Sequence, residues 1–318
     1  MKPDISIVIE WENVILADAA RSVRMIERLR KQISGLSRKV EVIVLFNPEQ
    51  IDRSFLQNEL FRRFDSDSAN NSFSLRVQEA CGKHYYELKN EGARLARGDI
   101  VVFLDCDVIP DDGWLENIVK PLYDSEEIKM VGGNAYVDYR SVYSKAFALA
   151  WIYKLRVKEN HSLVKNRLFH ANNVAFRKEL ITAHPFPEMP EGVIRKPCVM
   201  LSKELELQGF TIWINTAAQV SHPAPNGIHH FLIKALVEGR DSVLSEKLDP
   251  PILLKGSYFE KFIAHLLRII RDRKKVDLPV WQTPVALGIM FTYYMVAMTG
   301  AVIARVYPSY AKSSWRSQ

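Results

Sequence analysis

Gly98-Asp99-Ile100-Val101-Val102-Phe103-Leu104-Asp105-Cys106-Asp107 is the stretch on which the fold turns. Five consecutive apolar residues, four of them β-branched or aromatic, form a run of the kind buried on both faces of a parallel sheet, and Gly98 ends the helical stretch before it. Asp105 then stands at the carboxyl end of a central strand, the edge where open α/β sheets bind ligands. Two carboxylates separated by one residue can both reach one cation if the chain turns there, and hard oxygen ligands suit Mg²⁺ or Mn²⁺ rather than zinc. Such an ion bridges diphosphate oxygens and neutralises charge on a leaving group.

Upstream, Ile5 to Ile9 and Val40 to Phe46 are β-branched runs. Between them, Ala17 to Ser34 carries Val23, Ile26, Leu29 and Ile33 at helical spacing, which predicts a βαβ unit and a parallel sheet. Asp65 to Ser74 is polar and reads as a surface loop, and Leu88 to Arg97 as a helix. Downstream, Pro110 to Gly113 is a turn, Trp114 to Tyr123 a helix and Val131 to Val137 a strand. Ser144 to Lys158 has helical spacing suited to core packing. Gly192 to Cys198 reads as a loop, Val199 to Gln208 as a short helix and Phe210 to Ile214 as a strand. Neither an internal repeat nor a low-complexity tract is present.

The 43 Lys and Arg against 37 Asp and Glu give a net charge of +6, and the excess is local: from Phe231 onward the count is 13 against 7. A neutral body with a basic, apolar tail suggests anionic lipid rather than nucleic acid, since the basic residues do not alternate with stacking aromatics. Tyr258 to Arg273 sets Phe259, Phe262, Ile263, Leu266, Leu267, Ile269 and Ile270 mainly on one side, with Lys261, Arg268, Arg271 and Arg273 toward the other, the pattern of an interfacial helix. Val285 to Ala304 has no charged residue and about the length that crosses a bilayer core, with Trp281 and Tyr307 as interface markers. A buried core helix is the competing reading. The basic residues before the stretch outnumber those after it, which places the large domain in the cytoplasm at a plasma or inner membrane. The three cysteines, 81, 106 and 198, form no CxxC pair, so a reducing compartment is expected and neither zinc nor a disulfide framework is. Ile5 to Ile9 is too short for a signal-peptide core.

The segment from Gly98 to Asp107, followed by Pro110 and Trp114-Leu115, resembles the central part of family 2 glycosyltransferases, which have the GT-A fold. Lys89-Asn90-Glu91-Gly92 resembles that family's Arg-Asn-x-Gly helix with lysine in place of arginine. Ala171 to Arg177 resembles the segment lining the donor-sugar and acceptor pocket, and Val220-Ser221-His222 the strand end whose histidine completes the metal shell. The resemblance runs from about Ile5 to His222. It implies an α/β fold of GT-A type, Rossmann-like with a mostly parallel sheet flanked by helices, over residues 1–230. A linker and amphipathic helix at 231–280 and a transmembrane helix with a short tail at 281–318 would follow.

It also implies an inverting transfer of one sugar from a nucleoside-diphosphate sugar, a UDP-sugar first, to a hydroxyl of a lipid-linked or membrane-near glycan acceptor. Asp105, Asp107 and His222 would hold Mn²⁺ or Mg²⁺. Glu10, Glu12, Asn47, Lys89, Asp105, Asn172 and Asn173 would meet the donor. The chain departs from the family at Glu10-Trp11-Glu12-Asn13, where a proline and an aromatic-Asn pair are usual, and at Phe46-Asn47, where an Asp pair is usual. Pro197-Cys198 occupies the place of the Glu-Asp pair that supplies the general base. Glu191 and Glu188, on the Phe186 to Pro197 loop, are the nearest carboxylates for that task. An unperturbed Cys198 thiol is mostly protonated at neutral pH and makes a poor base. The alternative is a catalytically retired GT-A scaffold that binds a nucleotide or a partner glycosyltransferase. The Gln-x-x-Arg-Trp motif of polysaccharide synthases is absent, so single-sugar addition is expected.

Overall fold

The computed structural model describes residues 2–15, 19–56, 58, 73–158, 162–188, 196–244 and 258–309. The first βαβ unit is β1 (Ile5–Glu10), α1 (Ala19–Ser34) and β2 (Val40–Phe46), with Ile5 opposite Val40 in a parallel ladder. Strand β3 (Phe73–Glu79) pairs in parallel with β2, and β4 (Ile100–Asp105) in parallel with the other side of β1. Every residue of β1, β2 and β4 is buried, as central strands covered on both faces require. The edge strand β3 is half exposed and places Arg76, Gln78 and Glu79 along the rim, where charge discourages pairing with another chain. Its first two residues fall inside the stretch expected to be loop.

From β4 onward the sheet turns antiparallel. The remaining strands are β5 (Ile109–Pro110), β6 (Met130–Val137), β7 (Leu163–Asn166), β8 (Asn173–Arg177) and β9 (Ile212–His222). β8 lies antiparallel between β4 and β6, and β9 pairs antiparallel with β5 and β7. Among the described residues the order is β3-β2-β1-β4-β8-β6-β9-β5, with β7 also on β9. The result is an α/β fold whose parallel half carries β1 and β4 side by side.

Helix α2 (Tyr85–Leu95) packs close to this half because of Gly92: a Cβ there would stand 2.2 Å from Val8 Cγ1 and 2.9 Å from Leu45 Cδ1. Helix α3 (Trp114–Asp124) buries Trp114, Leu115, Ile118 and Leu122, its expected apolar face. α4 (Val142–Ala150) ends eight residues before the expected Lys158, and α5 (Lys178–Ala183) follows β8. α6 (Pro197–Leu207) opens on a proline, whose missing N–H costs nothing at a helix start. Most of the stretch expected as a loop before it lies outside the described residues.

The chain divides into two compact units. The first contains residues up to Ala135, Arg156–Glu188 and Pro197–His222, so it holds nearly the whole sheet. The second takes Tyr136–Leu155, Lys196 and the chain from Pro223. It contains α4, α7 (Gly227–Leu244), α8 (Tyr258–Asp272) and α9 (Thr283–Val306). The division expected at 230/231 thus falls at 222/223, and most of α7 occupies residues expected to be linker. The rings of Tyr143, Phe147, Phe231 and Tyr293 form the centre of this second unit, with centroids 5.0 to 6.2 Å apart. Among the described residues one helical stretch, Val280–Val306, is long and apolar enough to cross a membrane, with mean hydropathy 1.7 over its most apolar window and 33% of that window buried.

Candidate active site

The parallel register between β1 and β4 places Glu10 directly beside Asp105 at the carboxyl edge of the sheet. Both side chains are buried, and so are Glu12 and Asp107. Glu10 is held by its own loop: Glu12 N–H donates to Oε2 at 2.8 Å and Asn13 Nδ2 to Oε1 at 2.8 Å. The same Asn13 amide reaches Asp105 Oδ2 at 3.3 Å, so one side chain braces two carboxylates. Glu12 points toward the start of α2, accepting the Tyr85 N–H at 2.7 Å and meeting His84 Nδ1 at 2.9 Å. An acidic group at a helix N-terminus is favourably placed against the dipole.

Helix α2 supplies the counter-charge. Lys89, fully buried, extends its ammonium to Asp105 Oδ1 at 2.6 Å and passes over the Tyr85 ring at 4.6 Å. Tyr85 itself donates its hydroxyl to Asp105 Oδ2 at 2.8 Å. One ammonium is thus set among Glu10, Glu12, Asp105 and Asp107. Burial pushes the Glu10 carboxyl well above its ordinary value, and the Asp105 charge adds to this while Lys89 pulls the other way. Burial raises Asp105 too, against the pull of Lys89. Burial likewise pushes the Tyr85 phenol well up, helped by Asp105, so it remains a hydrogen-bond donor.

Asp107 sits in the turn after β4, and Arg21 of α1 fixes that turn. The Arg21 guanidinium donates from Nε to the Asp107 carbonyl at 2.5 Å and from one terminal nitrogen to Ser221 O at 2.6 Å and Ser221 Oγ at 2.8 Å. Ile109 pairs with Ser221 across β5 and β9, so the backbones of Asp107 and His222 approach the same corner. His222 is buried there. Arg21 escaped the sequence reading because a lone arginine on an amphipathic helix looks like a solvated charge.

The other expected residues divide. Asn47 follows β2 at the same edge, but its side-chain oxygen accepts Glu49 N–H at 3.1 Å and its carbonyl accepts Gln50 and Ile51 N–H, which makes it the cap of a turn. Asn172 is buried at the mouth of β8. Asn173, expected to meet the donor, is instead a fully buried joint: its Nδ2 donates to Asn134 O and Ala218 O, both at 3.0 Å, and its Oδ1 accepts Trp114 Nε1 at 2.7 Å. That leaves it tying β6, β8, β9 and α3 together. Glu188 is exposed, and Glu191 lies outside the described residues. Asn90, a turn after Tyr86, donates to Phe186 O at 2.8 Å and accepts Phe186 N–H at 3.0 Å, so α2 also anchors Phe186, two residues before Glu188. Cys198 is partly buried beside Tyr86, and burial raises its thiol, which suits it poorly to take a proton.

The cluster fits a hard divalent cation in its chemistry, being oxygen-rich, buried and short of positive charge. Among the described residues, however, no three His, Cys, Asp or Glu side chains are gathered around one point, and Asp105 is engaged by Lys89 and Tyr85. Lys89 meets part of the demand for positive charge that an ion would meet.

Residues 80–182 match the family model described as glycosyl transferase family 2. Among curated proteins, the hyaluronan synthase of Pasteurella multocida is 32% identical over 59 residues, which is 19% of this chain and 6% of that protein. The chondroitin synthase of Pasteurella multocida strain Pm70 is 30% identical over 70 residues, 22% of this chain and 7% of that one. The matched stretches are therefore less than a tenth of these relatives' length. Among solved structures, residues 1–349 of S. aureus TarS, in complex with UDP-GlcNAc, superpose with a TM-score of 0.50 at 15% identity, covering 98% of this chain and 88% of that one. GalNAc-T7 with UDP, GalNAc and Mn²⁺ superposes with a TM-score of 0.51 at 12% identity, covering 87% and 59%. At such identities the likeness is one of fold. The helix bearing Lys89, the Asp105-Cys106-Asp107 turn and the β8 strand all fall within residues 80–182, the segment that matches the glycosyl transferase family 2 model.

Proposed function

We propose that the chain is an inverting glycosyltransferase that takes a nucleoside-diphosphate sugar, with UDP-sugars first in line, and transfers one sugar to a hydroxyl of a lipid-linked or membrane-near glycan. The observation that carries this reading is the concentration of Glu10, Asp105 and Asp107 at the carboxyl edge of the parallel strands, opposed by the buried ammonium of Lys89. Asp105, Asp107 and His222 would hold Mn²⁺ or Mg²⁺, which when bound neutralises the diphosphate leaving group. Lys89 pairs with Asp105 and orients it, Tyr85 and Asn13 fix its oxygens, and Arg21 sets the turn that presents Asp107. The UDP-GlcNAc bound to TarS and the UDP and Mn²⁺ bound to GalNAc-T7 support the donor class and the metal.

The acceptor hydroxyl must lose its proton to a positioned base, and Glu191 or Glu188 would take it. The loop between Phe186 and Pro197 holds Pro187 and Pro190 as well, which limits its backbone freedom. Glu191→Gln is expected to keep donor affinity and lose about 10²- to 10⁴-fold in transfer, with Glu188→Gln as the paired control. Screening UDP-, GDP- and dTDP-sugars for thermal stabilisation in Mn²⁺ identifies the donor. A chain that binds a donor yet transfers to no acceptor in membrane extracts would establish instead the retired scaffold, the reading that Pro197-Cys198 favours.

A further inference from the structure

The second unit leaves a long apolar surface uncovered. On α9 the buried stripe is Ala286, Met290, Tyr293, Ala297, Gly300 and Ala304, and the opposite stripe exposes Val285, Phe291, Met295, Met298, Val302 and Val306. On α8, Ile263, Leu267 and Ile270 are exposed at helical spacing. The two stripes adjoin where the Phe262 and Phe291 rings meet at 5.9 Å. Trp281 and Tyr307, 74% and 65% exposed, flank α9 at either end, the placement such side chains take at a membrane–water boundary. Basic residues border this surface: Arg268, Arg271, Arg273, Lys274 and Lys275 lie at the end of α8, and from Tyr258 to Ser309 there are seven Lys or Arg against three Asp or Glu.

What lies behind α9 decides how it can meet a bilayer. α7 packs along it, from Phe231 against Tyr293 to Val243 with Ala304. The contact is backbone to backbone: a Cβ on Gly239 would stand 1.7 Å from the Ala297 carbonyl oxygen, and one on Gly300 2.2 Å from the Leu236 carbonyl oxygen. α7 brings Lys234, Glu238, Arg240 and Asp241 with it. Tyr293 donates to Glu238 at 2.7 Å from the middle of α9, and the buried Arg240 pairs with Asp241 at 2.8 Å. If α9 crossed a bilayer in this packing, it would carry those charges into hydrocarbon, where ionisable groups are strongly disfavoured.

We infer that α8 and α9 form one docking surface for an anionic lipid bilayer, with α9 lying in the plane of the headgroups and not crossing. The apolar stripes enter the acyl boundary, and the basic residues meet lipid phosphates. This replaces the expectation that residues 285–304 span, and it is independent of the transfer chemistry.

The test uses the full chain with an epitope tag at each end. Flotation with phosphatidylcholine vesicles, with and without phosphatidylglycerol, should show at least about 10-fold more bound protein on the anionic vesicles, the contribution of one or two basic residues near such a surface. Added salt should reduce that preference. Leu267→Asp and Met295→Asp, both at exposed sites, should abolish flotation while the thermal melt and donor binding stay unchanged. In sealed vesicles from expressing cells, external protease should remove both tags or neither. Tags on opposite sides would overturn the inference in favour of a spanning helix. A wild-type chain that ignores vesicles and is a dimer dissociated by Met295→Asp would show the surface to be covered by a second copy. Flotation equal to wild type by both variants would remove the face from membrane binding.

Discussion

Glu41 on β2 and Glu10 on β1 are buried carboxylates on adjacent strands at opposite edges of the sheet, and their surroundings differ in one respect. At the amino edge, Glu41 accepts Ser6 Oγ at 2.6 Å, the Arg97 N–H at 2.6 Å and Arg97 Nε at 3.0 Å, with Arg76 at 3.5 Å. Burial alone would raise its carboxyl, but the bonds from Ser6 and Arg97 outweigh it and hold the group below the usual range. At the carboxyl edge, Glu10 shares its setting with Asp105, and burial and repulsion push it well up. The amino edge surrounds its carboxylate with a hydroxyl and arginine donors, and the carboxyl edge gathers several carboxylates near Lys89. A buried cluster of carboxylates that their own protein only partly compensates marks a site for a ligand more reliably than burial or acidity alone.

The contrast can be broken most directly at Asp107. Asp107→Ala should lower transfer by at least about 10²-fold, the scale of losing one preorganised electrostatic contact to developing charge. The thermal midpoint should hold or rise, because one of several repelling carboxylates has gone. Full activity in excess chelator, or a collapsed melt, would show that this edge is structural like the other.

Glu41→Gln is the converse. It should cost about 2 kcal/mol of stability, since a buried acceptor of several bonds loses its charge and leaves the Arg97 groups poorly matched. Donor affinity per folded molecule should be unchanged. Glu10→Gln should move stability by less than Glu41→Gln, and chemical denaturation of the two variants side by side measures the difference. An equal loss would mean that Glu10 is as fully compensated as Glu41.

Much of this was legible in the sequence, and the parts that were not have a common cause. The runs Ile5 to Ile9, Val40 to Phe46 and Ile100 to Leu104 announce buried parallel strands because both faces are apolar. Phe73 to Glu79 alternates apolar and polar residues, but its first two residues continue a polar tract that reads as loop, which hides where the strand starts. The antiparallel half depends on long-range pairing, as between β4 and β8, which no local period encodes. Asp105, Asp107 and Lys89 stand in short motifs, so the sequence alone singles them out as candidates. Asn13, Tyr85 and Arg21 could not, because their roles arise only when α1, α2 and the β1 loop are brought to one sheet edge. Asn173 shows the reverse: a polar pair in a motif suggests ligand contact, yet its amide is used up by three bonds inside the core.

The smallest expected effect, and the one that separates a positioning group from a bulk charge, is at Arg21. Its guanidinium spans the Asp107 carbonyl and the Ser221 carbonyl and hydroxyl at once, which a planar fork of donors can do and a single ammonium cannot. Arg21→Lys keeps the charge and loses the span, so the turn bearing Asp107 is released from the end of β9. The electrostatic field at the site is nearly unchanged, and what alters is the distance between Asp107 and His222. Transfer at limiting Mn²⁺ should fall about 10-fold, a loss within the range that small misplacements produce. Saturating Mn²⁺ should restore most of it, because raised metal concentration compensates a weaker site and not a missing one. A fall that persists at saturating metal would assign Arg21 to the donor or to the reaction itself. An unchanged metal titration would make it a structural charge, a brace for the backbone of the turn after β4 and of β9 and nothing more.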